Sequence, residues 1–131
     1  MSTVPWIDLL GWSEDELNDL RFVAYSYIKQ GHYEIARKFF EALVVLCPNS
    51  IYDLQTLGAL HLEQGENLSA LSLFDRALEQ DPEDAPTLLN RAKALLLLGY
   101  HKQGIAQASQ LKGHKNIKIS NQAEALLLAY Q

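Results

Sequence analysis

Cysteine is nearly absent from this chain: Cys47 stands alone, so no internal disulfide can form, which suits a reducing compartment. The four prolines and seven glycines are too few for a low-complexity segment or a long linker. Long apolar runs are missing too. Stretches such as Ala94–Leu98 fall far short of the roughly 18 residues that a membrane span needs, so no membrane insertion is expected. Met1–Leu10 has no basic stretch ahead of an apolar one and does not read as a signal peptide. Basic charge is in deficit, with a formal net charge of −5. A nucleic-acid binder usually carries a basic face and a basic balance, so nucleic acid is not expected as a partner. A cytoplasmic location is the simplest expectation.

What is present is an ordinary globular composition, 48% apolar and 21% charged, in one domain of 131 residues. A chain of this length can bury roughly two thirds of its unfolded surface, so it needs no metal or disulfide as a staple. Its charge is unevenly placed. Asp8, Glu14, Asp15, Glu16 and Asp19 all precede the first basic residue, Arg21. From His101 to Gln122 come Lys102, Lys112, Lys115 and Lys118 with no acid among them. The two ends differ in sign, which reads as two solvated faces or as a means of orienting a partner or a second copy.

A period of 34 residues organises the rest. Gly31, Gly65 and Gly99 keep it, as do Ala36, Ala70 and Gly104, then Phe40, Phe74 and Ala108, then Pro48 and Pro82. Each register has a physical reason. The glycine supplies a positive φ in a turn between helices. The small residue lets the second helix approach the first. The aromatic, one turn on, fills the space between them. The proline ends the second helix and sets the entry to the next hairpin.

The expected organisation is an N-terminal cap over 1–16, repeats over 17–50, 51–84 and 85–113, and a capping helix within 114–131. Ser13-x-x-Glu16 is a capping box that starts the first helix. Helices are expected over about 51–64, 68–80, 85–98, 102–111 and 120–130, besides the pair in the first repeat. Trp6, Leu9, Leu10 and Trp12, with Ile7, form a dense apolar cluster before the repeats. It reads as a cap over the first helix or as a self-association or partner surface.

Chemistry is hard to find. None of His32, His61, His101 and His114 has a second histidine or a cysteine at i+3 or i+4, so no helical metal pair is present. Glu79, Asp81, Glu83 and Asp84 flank a proline turn and lack a glycine-containing calcium loop. Asp84 reads instead as the cap of the fifth repeat helix. No enzyme, metal or cofactor is expected.

The 34-residue pattern resembles the tetratricopeptide repeat. Repeat 2 carries it best, with Leu57-Gly58, Gly65, Ala70, Phe74, Ala77 and Pro82. The resemblance implies an all-α, right-handed α-solenoid with a concave face lined by the first helix of each hairpin. Family geometry turns Asn18, Arg21, Phe22, Tyr25, Ile28 and Lys29 inward from repeat 1. Repeat 2 gives Tyr52, Gln55, Thr56, Ala59, Leu62 and Glu63, and repeat 3 gives Pro86, Leu89, Asn90, Lys93, Leu96 and Leu97. Tyr25, Tyr52, Leu62 and Leu89 are expected as exposed anchors for a ligand. The carboxylate clamp of heat-shock co-chaperones does not fit. Its positions hold Arg21, Tyr25, Thr56, Pro86 and Asn90, of which Arg21 alone keeps the needed charge.

The stretches Ala24-Tyr25…Gly31-x-Tyr33-x-x-Ala36 and Phe40-Glu41-Ala42-Leu43-Val44-Val45-Leu46 resemble bacterial type III secretion chaperones of three repeats. That resemblance implies a cytoplasmic bacterial chaperone for a secreted translocator or needle subunit with an apolar segment. It also implies a homodimer or a small co-chaperone as a second partner. The other reading of such an array is a scaffold or adaptor that joins folded proteins.

Overall fold

A computed structural model describes residues 12–131. Among them run seven helices and no strand: α1 (Glu14–Lys29), α2 (Tyr33–Leu46), α3 (Ile51–Glu63), α4 (Asn67–Gln80), α5 (Ala85–Leu97), α6 (His101–Leu111) and α7 (Ile117–Tyr130). Successive helices pack as antiparallel hairpins, and each hairpin packs on the next, which is the expected all-α solenoid. Trp6, Leu9 and Leu10 lie outside the described residues. Trp12 is half exposed ahead of α1.

The two kinds of junction use different chemistry. Within each hairpin, Gly31, Gly65 and Gly99 take φ of 81°, 79° and 91°. The residue after each glycine donates its N–H five residues back: His32 to Tyr27 O, Glu66 to His61 O and Tyr100 to Leu95 O, at 2.8–2.9 Å. This is the Schellman ending, which satisfies the last carbonyls of one helix while launching the next. Those launched helices have no side-chain cap. Helices that open a hairpin do have one. Ser13 and Glu16 close the capping box at 2.8 and 3.1 Å. Ser50 caps α3, and Asp84 caps α5 by accepting from the N–H and hydroxyl of Thr87.

The period reappears in the core. Ala36, Phe40, Ala70 and Phe74 are all fully buried. Phe74 lies so close to Gly58 that a Cβ there would stand 2.4 Å from Phe74 Cε1. In the third hairpin the small Gly104 and Ala108 leave room that other side chains fill. Leu96 lies against Gly104, where a Cβ would meet its Cγ at 2.7 Å. Leu127 of α7 joins Ala92 and Ala108 in one cluster.

Helix α7 is the cap, packed on α5 and α6 through Ile119, Ala123 and Leu127. It starts at Ile117, three residues before the expected Ser120. Asn116 is the reason: its Oδ1 accepts from Lys118 N and Ile119 N at 3.0 and 3.4 Å. Ser120 instead accepts from Gly113 N at 2.9 Å, which ties the turn to the helix.

Candidate protein-binding groove

Helices α1, α3 and α5 carry the residues that repeat geometry turns toward the inner face. Tyr25 and Tyr52 are 46% and 45% exposed, well above the core residues beside them. Tyr52 sets its ring edge-on to buried Phe40 with centroids 5.9 Å apart, which fixes its place on the face. Partial burial pushes the Tyr52 phenol above its usual pKa. Lys29 Nζ lies 5.9 Å from the Tyr25 ring centroid, a weak cation–π contact. Gln55, Ala59 and Leu62 are half buried. A shallow hollow of about 320 Å³ between α3 and α5 is lined by Ile51, Tyr52, Gln55, Asp84 and Pro86. A second, of about 260 Å³, lies between α5 and α7, lined by Leu89, Asn90, Lys93, Gln122, Ala125 and Leu126.

Several residues expected in the groove behave otherwise, Thr56 among them at 8% exposed. Arg21 is committed to the protein itself. Its Nε and Nη2 donate to Asp53 Oδ1 and Oδ2, each at 2.8 Å, and its Nη1 donates to Asn18 Oδ1 at 2.8 Å. These bonds to Asp53 outweigh desolvation and raise the guanidinium pKa above its usual value. Leu96 is core, 2% exposed, because Gly104 of α6 leaves it a seat. Leu89 is 8% exposed and packs with Leu111, Ile119 and Ala123, so it forms a floor rather than a free anchor. Phe22 is 72% exposed and shares a hollow with Val23, Ser26, Tyr27 and Gln30 on the flank of α1.

Asp53 was not among the expected residues. It is fully buried, one position after Tyr52, and its carboxylate bridges α3 to α1. An acid in the first turn of a helix carries no signal of burial in the sequence, and its partner lies 32 residues away, so only the helix stacking shows the pair. A second polar junction links the first two hairpins. Arg37 of α2 donates to Glu41, Gln64 and Glu66 at 3.0, 2.6 and 2.9 Å. His61 Nδ1 lies 2.7 Å from the other oxygen of Glu66. Burial pushes the Cys47 thiol up, with the charge of Arg21 opposing it. No group of three metal-ligating side chains occurs among the described residues, and no described helix is long and apolar enough to cross a membrane.

The fold and its inner face define a protein of tetratricopeptide architecture. A tetratricopeptide-repeat family model matches residues 22–50. No curated protein matches the chain in sequence. Among solved structures it is similar to type III secretion translocator chaperones along nearly its whole length. SycD of Yersinia enterocolitica aligns at a TM-score of 0.83 and 24% identity, over 94% of this chain and 96% of its own. SycD in complex with a peptide of the translocator YopD aligns at 0.72 and 26%, over 91% and 98%. PcrH with the chaperone-binding region of PopD aligns at 0.77 and 25%, over 92% and 94%. PcrH is a protein of Pseudomonas aeruginosa.

Proposed function

We propose that this chain is a non-catalytic export chaperone of a bacterial type III secretion system, working in the cytoplasm. It takes an apolar segment of a secreted translocator subunit into its concave face and keeps that subunit soluble before export. The observation that carries this reading is the pair of half-exposed tyrosines, Tyr25 and Tyr52, on adjacent helices of the inner face. Aromatic side chains in such grooves tend to be the energetic anchors of a bound segment. Support comes from the relatives of the same fold that were solved with translocator segments bound.

The mechanism is mass action. A segment that would aggregate when free is withdrawn from that equilibrium while it lies on the chaperone. The helical scaffold is already formed, so binding orders little of the chaperone itself. No step consumes ATP, and release falls to the export machinery. The test is co-expression with the candidate translocator from the same gene neighbourhood. A chaperone yields a soluble complex at a fixed ratio, while the translocator alone is insoluble. A partner equally soluble without this chain would favour a scaffold that joins folded proteins.

A further inference from the structure

The hollow between α5 and α7 differs from the tyrosine-bearing part of the inner face. Its floor is apolar, made by Leu89 and Leu126 with Ala125, and its rim is polar, made by Asn90, Gln122 and Lys93. Lys93 is exposed and makes no ion pair among the described residues. Lys118 stands one turn before Gln122 on the same side of α7, and it too is unpaired there. The neighbouring acids do not cancel this charge. Glu124 lies two residues beyond Gln122, toward the opposite side of α7, Asp84 is spent on capping Thr87, and exposed Glu63 pairs with neither lysine. The chain from His101 to Gln122 carries lysines and no acid, so this end of an otherwise acidic protein is locally positive.

We infer that the α5–α7 hollow is a mixed subsite that takes a leucine-sized side chain flanked by a carboxylate on the bound segment. The apolar side chain covers Leu89 and Leu126, and the carboxylate meets Lys93, with Lys118 adding to the local field. The subsite rests on the groove reading above and adds to it a chemical preference and a direction. The ligand lays its acidic side toward the cap and its uncharged apolar side toward Tyr25 and Tyr52.

The test is a cellulose-bound array of random short peptides, each with one central leucine and with Glu, Gln or Lys beside it. It is probed with the full chain and with the Lys93→Glu, Lys118→Glu variant, whose fold is checked by circular dichroism. Retention of acidic-flanked peptides over lysine-flanked ones is expected at about three- to fivefold, the range of a partly exposed ion pair, and it should shrink with added salt. The variant should reverse the order while still retaining leucine peptides. Equal retention of acidic and basic neighbours, or an unchanged order in the variant, overturns the subsite alone. Retention that ignores the leucine altogether overturns both the subsite and the groove reading.

Discussion

Arg21 and Asp53 join the first two hairpins through the one fully buried carboxylate among the described residues. A fully buried carboxylate is tolerated because two guanidinium N–H groups meet its two oxygens. Removing Arg21 leaves the Asp53 carboxylate buried and unpaired, whereas Arg21 without Asp53 still has Asn18 and Glu14 beside it. Arg21→Met is therefore expected to cost about 3–5 kcal/mol in urea unfolding. An Arg21→Met, Asp53→Leu double variant should recover much of that loss, and a double as unstable as the single would contradict the pairing. Phe74 is a different kind of residue, held by shape alone. Phe74→Ala should lower stability by about 3–5 kcal/mol through lost burial and a cavity. Gly58→Ala should also destabilise, because its Cβ would run into the Phe74 ring, which has no room to yield. A melting temperature unmoved by either change would refute the packing described. Phe74 and the turn glycines were legible in the sequence, since a repeat writes each of them at the same interval. Asp53 was not, because its register does not mark burial: the same place in the neighbouring hairpins holds Asp19, the same residue but exposed, and Thr87, a hydroxyl tied to Asp84.

Among the elements, the hairpin junctions and the cap respond to different perturbations. Arg37 above all, then His61, holds the Glu66 carboxyl below the usual carboxylate range. A carboxyl lowered on folding adds stability above its unfolded pKa, and that contribution is lost as pH falls through the lower folded value. The junction of the first two hairpins should therefore loosen in acid. Glu66→Gln should flatten the acid limb of a stability-against-pH curve, and a curve superimposable on wild type would remove Glu66 from the account. The cap depends on packing. Without α7, Leu89, Leu111, Ala92 and Ala108 would face water. A chain ending at Gly113 should melt at a lower temperature and self-associate on sizing, and one that stays monomeric with the full melting temperature would show that the cap is dispensable. Sequence periodicity found this helix but put its start at Ser120, because the Asn116 cap is a local hydrogen-bond choice that apolar spacing does not encode. The same limit explains Leu96. Its repeat position faces the groove, but the small Gly104 on α6 draws it into the core.

For the whole molecule, the proposed function rests on the concave face. Repeat geometry names the residues expected there, but which of their side chains stand free is set by packing between neighbouring helices. Leu89 is spent on the core, so a charge placed there would unfold the third hairpin and say nothing about binding. Tyr25 and Tyr52 are half exposed and can be trimmed with the fold intact. The proposed function is tested most sharply by co-expressing a Tyr25→Ala, Tyr52→Ala variant with the proposed translocator partner. Each lost anchor should weaken binding by about 1–3 kcal/mol, roughly tenfold per 1.4 kcal/mol. Unchanged helical circular dichroism and a translocator left in the insoluble fraction are expected. A folded double variant that still holds the translocator in solution at full yield would contradict the proposed function.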